Sequence, residues 1–254
     1  RLAIRRGRPL VTLYGPLAGY YGPEERVRAI ALGEEVVAEL NRRRAVESRE
    51  NEIELLAALG ALGTQYKEQG EYTRARARLE RVLHLLARFK GMPPELVAML
   101  SGHTHFQLGV IAYAQEKWSR AEYHFERMLE VTEEDPNPSD DVQAFIYLGR
   151  IAAKRNDWQA ADEHYAQAMD VAVEEEDELL QAEIYRAMSA TELAQQHWKE
   201  ANELISKALI LAYKIEIPAL QAAIWRQIGA MAEAQHEWVE AEASYRTAVA
   251  HYRA

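Results

Sequence analysis

"NDWQAADEHYAQAMDVA", residues 156 to 172, opens on a turn-forming Asn-Asp pair and continues as an alanine-rich helical pattern headed by Trp158. Trp118, Trp198 and Trp238 head comparable stretches, so four of the five tryptophans stand 40 residues apart. Self-similarity with a period of about 20 to 50 residues is the signature of a repeat array. The alanine three residues after each tryptophan recurs as Ala121, Ala161, Ala201 and Ala241, with Ala75 after Tyr72 as an earlier member. Four residues further on stand Leu79, Phe125, Tyr165, Ile205 and Tyr245, and three beyond those Val82, Met128, Ala168, Ala208 and Ala248. Steps of four and three put these residues on one face of a helix.

A second helix repeats upstream. Leu62-Gly63, Leu108-Gly109, Leu148-Gly149, Met188-Ser189 and Ile228-Gly229 align, each preceded three residues earlier by Leu59, His105, Phe145, Tyr185 or Trp225. Each unit is therefore a helical hairpin. The small residue allows the two helices to approach, the large ones fill the groove between them, and turns at Gly70, Glu116, Asn156, Gln196 and His236 join them. A lone hairpin cannot bury both faces, so neighbours must stack.

These slots resemble the tetratricopeptide repeat (TPR), whose pattern is W-x2-L-G-x2-Y, then A-x3-F, then P. The resemblance covers roughly residues 55 to 254 and implies an all-α, right-handed superhelix, a solenoid of stacked antiparallel hairpins. Five are expected, at about 55–90, 98–133, 141–173, 179–214 and 219–254. Departures are clear. The Tyr slot holds Tyr66 but otherwise Ala112, Ala152, Glu192 and Ala232, and the closing proline is replaced by Ala87, Glu133, Val173 and Tyr213. Arrays with this longer period are similar to the C-terminal sensor regions of bacterial signal-transduction ATPases with numerous domains (STAND), the type that includes the maltose-regulon activator, and to TPR peptide-pheromone receptors. That resemblance implies a sensor cut from a larger protein in signal transduction and transcription regulation.

Residues 1–54 fit the repeat less well. Pro9, Pro16 and Pro23 interrupt the start, and residues 23–44 read as one amphipathic helix with Pro23 in its first turn. A degenerate repeat or cap is expected there, with an appendage of a preceding domain as the competing reading.

Composition narrows the function classes. The chain has 254 residues, a formal charge of −10 and no cysteine, which removes disulfides and thiolate metal clusters. Residues 1–90 hold 17 Lys/Arg against 12 Asp/Glu, and the remainder 13 against 28. An acidic majority argues against nucleic acid. The basic start is either a solvated arm or a contact for an acidic partner. No apolar run nears the ~20 residues that span a bilayer. A cytoplasmic monomer that touches no membrane is expected.

Chemistry is sparse. There is no G-x-x-x-x-G-K-[ST], G-x-G-x-x-G or H-E-x-x-H run. His124 and His164 are equivalent positions in separate hairpins, whereas zinc needs nitrogens at about 2.0–2.1 Å from one ion. No catalytic residue, metal or cofactor is assigned, and a binding module rather than an enzyme is expected.

The exposed wall of such a solenoid is its usual binding surface. With the Leu of Leu-Gly at zero and 100° per residue, positions two before, two after and five after it fall near about 160°, 200° and 140°, away from the partner helix. These are Gly60, Thr64 and Lys67; Phe106, Val110 and Tyr113; Ile146, Arg150 and Ala153; Arg186, Ala190 and Leu193; and Arg226, Ala230 and Glu233. Phe106, Val110, Tyr113, Ile146, Arg150, Arg186 and Arg226 are the candidate ligand-binding residues. Guanidinium groups pair bidentately with carboxylate or phosphate, so a protein, peptide or small anionic ligand in the concave groove is the expected partner. The bland alternative is that the arginines pair with neighbouring acids and Phe106 packs against the next hairpin. Family members that clamp an acidic C-terminus use an Asn two residues after the Leu. This chain has Thr64, Val110, Arg150, Ala190 and Ala230 there, which disfavours that use.

Overall fold

A computed structural model describes residues 23–43, 49–134 and 136–253, and among these there are eleven α-helices and no strand. The chain divides into two compact units, residues 1–135 and 136–254.

The first unit holds α1 (Pro23–Arg43), α2 (Arg49–Glu68), α3 (Tyr72–Leu86), α4 (Pro94–Ala114) and α5 (Trp118–Val131). α2 pairs with α3 and α4 with α5, and Val36, Val37 and Leu40 of α1 close one side of a core built on Leu55, Leu59, Leu62 and Leu79. α2 begins six residues ahead of the boundary expected from sequence, because "RENEIE" is polar and the apolar periodicity starts only at Leu55. α1 is tied down by polar contacts as well: Arg78 reaches both oxygens of Glu34 at 2.7 and 2.9 Å, and Tyr66 donates to Glu34 Oε1 at 2.7 Å.

The second unit is three hairpins: α6 (Pro138–Lys154) with α7 (Trp158–Glu174), α8 (Glu178–Ala194) with α9 (Trp198–Lys214), and α10 (Pro218–Ala234) with α11 (Trp238–Arg253). α7 packs on α8 and α9 on α10, so the hairpins are stacked in chain order. The alanines at the tryptophan-plus-three slot are sealed: Ala161 and Ala201 are 0% exposed and Ala241 4%.

Local chemistry fixes where each helix begins and ends. Asn137 caps α6 by accepting from the main-chain N–H groups of Ser139 and Asp140, and Asp177 does the same for α8 at Leu179 and Leu180. At the hairpin turns Glu116, Asn156, Gln196 and His236 take φ of 56°, 60°, 62° and 62°. The Lys117 N–H then reaches Ala112 O at 2.9 Å and the Glu116 N–H Tyr113 O at 2.9 Å, a pattern that satisfies the last carbonyls of a helix. Within each hairpin the small slot works as close approach. A Cβ on Gly109 would lie 2.7 Å from Phe125 Cε1, and one on Gly149 2.6 Å from Tyr165 Cε1. Ser189 occupies this slot in the fourth hairpin, opposite the smaller Ile205, with its hydroxyl donating to Ala201 O at 2.9 Å.

Candidate ligand-binding site

The seven residues nominated from sequence fall in both units. In the first, Phe106, Val110 and Tyr113 lie along α4, and all three are half-buried. Phe106 meets the ring of Phe125 edge-on at 5.8 Å, and Tyr113 meets Trp118 edge-on at 5.2 Å. Both rings are thus committed to their own hairpin while presenting part of their surface.

In the second unit Ile146 is 1% exposed and belongs to the core with Val142, Tyr165, Leu180 and Ile184. Its place on the helix turns it away from α7, and α8 covers it. Ile146 is therefore a packing residue and no part of an open wall.

The three arginines behave differently. Arg150 on α6, Arg186 on α8 and Arg226 on α10 come from three successive first helices, and both Arg150 and Arg226 act electrostatically on Arg186. Burial, then the positive charges of Arg150 and Arg226, lower the proton affinity of Arg186, while Glu183 and Tyr147 partly offset them. The Arg150 guanidinium lies 5.5 Å from the centre of the Tyr147 ring. The Nε of Arg186 is buried without a hydrogen-bond partner. Among the described residues no carboxylate lies within 4.0 Å of any of the three guanidinium groups. The cations repel one another, and Glu183 and Tyr147 offset that repulsion only in part, without a direct ion pair.

The backbone beneath them is held. Gln227 of α10 donates to Arg186 O at 3.0 Å and to Ser189 Oγ at 3.2 Å, and Gln143 of α6 donates to Glu183 of α8. These cross-links fix the three first helices in register, so the guanidinium groups are presented from a braced surface.

Two polar features escaped the sequence reading. His105 and His124 are both buried and lie against each other. Their signal was the presence of His105 in a slot otherwise filled by Leu59, Phe145, Tyr185 and Trp225. Asp141 carries a buried Oδ1 with no hydrogen-bond partner. Its signal was the 40-residue register with Gln181 and Gln221. No helix among the described residues is long and apolar enough to cross a membrane.

A family model described as the tetratricopeptide repeat matches residues 144–179. The curated proteins offer no match. Solved structures match in fold. BtubC from P. vanneervenii aligns with a TM-score of 0.67 at 17% identity, over 90% of this chain and 91% of that one. The apo form of RapI gives 0.63 at 15% identity, over 99% and 94%. A putative kinesin light chain with nearly identical TPR-like repeats, from Podosopora anserina, gives 0.64 at 18% identity, over 82% and 97%. Folds of this type generally bind proteins or peptides. The hairpin slots, the family model and these likenesses agree: residues 144–179 match the tetratricopeptide repeat, and the stacked helical hairpins have a TPR-like fold.

Proposed function

We propose that the chain is a binding module that takes an anionic ligand, a peptide or small molecule bearing carboxylate or phosphate, on the ridge formed by Arg150, Arg186 and Arg226. The observation that carries this reading is the absence of any internal carboxylate partner for the three guanidinium groups among the described residues, together with the orphaned Nε of Arg186. Guanidinium groups brought together without a carboxylate in direct contact are poised for bidentate pairing with an incoming anion. Tyr147, beneath Arg150, adds an aromatic surface beside the charge.

The similarity of 40-residue TPR-like arrays to the sensor regions of STAND ATPases supports a further step: the module senses its ligand on behalf of a larger signal-transduction or transcription-regulating protein. A ligand bridging several hairpins would favour one arrangement of them by its differential affinity. A longer reading frame that encodes a P-loop and a winged helix upstream supports the sensor, and a stand-alone TPR protein refutes it. The passive-scaffold alternative draws support from the exposed apolar side chains of α11, where Trp238 and Tyr252 are each 61% exposed.

Calorimetry with a peptide ending in consecutive glutamates, and with its phosphoserine counterpart, tests the ridge. Binding is expected to weaken as salt is raised, since exposed charge pairs are screened over about 8–10 Å near physiological ionic strength. The triple variant Arg150→Ala, Arg186→Ala, Arg226→Ala should lose binding while keeping its helical circular dichroism. Affinity unchanged in that variant refutes the site.

A further inference from the structure

The first unit contains a cavity of about 510 Å3 between α2, α3 and α4, and the geometry points to it as a binding site for an aliphatic chain with a single polar end. It is independent of the arginine ridge.

The cavity originates in sequence. Along α2 the cavity is lined by Ile53, Leu56, Ala57, Gly60, Ala61 and Thr64, of which Ala57, Gly60 and Ala61 are small. In the following hairpins the slot of Gly60 is occupied by Phe106, Ile146, Arg186 and Arg226, and that of Ala61 by Gln107, Tyr147, Ala187 and Gln227. Gly60 and Ala61 together leave open a volume that at least one larger side chain fills in every following hairpin. A Cβ built on Gly60 would meet nothing within 4 Å.

The opposite wall comes from an insertion. Between Ala75 and Ala121 there are 46 residues instead of 40, and part of the surplus is an additional first turn of α4. Pro94 opens α4 14 residues ahead of Leu108, whereas Pro138 opens α6 10 residues ahead of Leu148. That turn supplies Leu96, the loop before it supplies Met92, and Leu100 continues the wall, while Leu79 and Val82 of α3 form the floor.

The lining decides the ligand class. Thr64 donates its hydroxyl to Gly60 O at 3.3 Å and Thr104 to Leu100 O at 2.6 Å, so both present methyl groups to the space. His103, exposed at the rim, is the one polar lining side chain with no partner inside the fold among the described residues. Ligand pockets commonly enclose about 300–1,000 Å3 of mostly apolar surface with a few convergent polar groups. No Phe, Tyr or Trp lines this one, which favours a flexible aliphatic chain over a flat ring that would seek stacking partners. The chain would lie among Leu56, Leu79, Leu96 and Leu100 with its polar end at His103.

The test is displacement of parinaryl alcohol, a fluorescent linear polyene chain with a hydroxyl end, by decanol, using the full chain. Decanol is expected to displace the dye saturably from one site. Gly60→Leu and Ala57→Leu each place a side chain in the cavity and should weaken decanol by about tenfold or more, a change worth about 1.4 kcal/mol per decade. Their melting temperatures should hold or rise, since a glycine inside a helix is replaced in one and an exposed alanine in the other. The triple arginine variant should bind decanol as the wild type does, which separates this site from the ridge. The assignment is overturned if displacement is not saturable, or if both cavity-filling variants bind decanol with wild-type affinity.

Discussion

The Nδ1 of His105 lies 3.0 Å from the Nδ1 of His124, and the exposed ring of Tyr123 stands edge-on to both. One nitrogen donates and the other accepts, so at least one ring is neutral. Burial, then the neighbouring His105 and Arg120, push His124 down to about 4, and burial with Arg127 lowers His105. A histidine whose folded pKa lies below its unfolded value of about 6.5 stabilises the fold above that pH and loses the contribution as pH falls toward 4. Acidification from pH 7 to 4 should therefore cost the first unit about 3 kcal/mol through His124. Urea midpoints across that range should fall in the wild type and much less in His124→Phe. An equal fall in the variant would assign the loss to other groups.

Gly149→Ala should destabilise the second unit despite alanine's better helix propensity. The new Cβ would lie 2.6 Å from Tyr165 Cε1, and that ring is anchored, with its hydroxyl 2.9 Å from Thr191 Oγ1. An overpacking cost of about 2–3 kcal/mol set against a propensity gain of about 1 kcal/mol leaves a net loss of about 1–2 kcal/mol. Ser189 facing Ile205 is the chain's own precedent for relief. Adding Tyr165→Ile to Gly149→Ala should thus recover part of the loss in thermal unfolding, and a purely additive double variant would contradict the steric account.

Asp141 stands where Gln181 and Gln221 each reach back to a preceding helix, donating to Ala172 O at 3.1 Å and Ala212 O at 3.0 Å. A carboxylate cannot donate. Burial, with Asp140 beside it, pushes the Asp141 carboxyl up to about 6. An acid raised in the folded state contributes most below its unfolded pKa of 3.8, and that contribution is lost as pH rises from there through about 6. Asp141→Asn should accordingly stabilise the protein by about 2 kcal/mol at pH 7 and by almost nothing at pH 4. A gain of the same size at both pH values would mean that the charge is not the cause.

Periodicity made the hairpins readable from sequence. The Trp, Ala and Leu-Gly slots state which faces must meet, and the turns follow from helix ends that need a left-handed residue. The burial of Ile146 was not readable, because a wheel gives direction while cover depends on the next hairpin's side chains. Arg150, Arg186 and Arg226 were nominated by angle, but whether acids neutralise them depends on rotamers that a spacing does not encode. The cavity beside Gly60 was visible only as an irregularity, six surplus residues and three small side chains, whose joint effect needs three helices in place. His105 in an otherwise apolar slot and Asp141 in a glutamine slot are single departures from the 40-residue register, and both mark groups that burial shifts from their ordinary pKa.

Trp238 is 61% exposed, whereas Trp118, Trp158 and Trp198, at the same slot, are half-buried. Helix α11 therefore carries an optical reporter. Light emitted from that indole is shifted to the red and is open to collisional quenchers that reach its counterparts less well. Any helix that comes to rest on α11, from whatever source, will announce itself by a blue shift in intrinsic fluorescence, with no label attached.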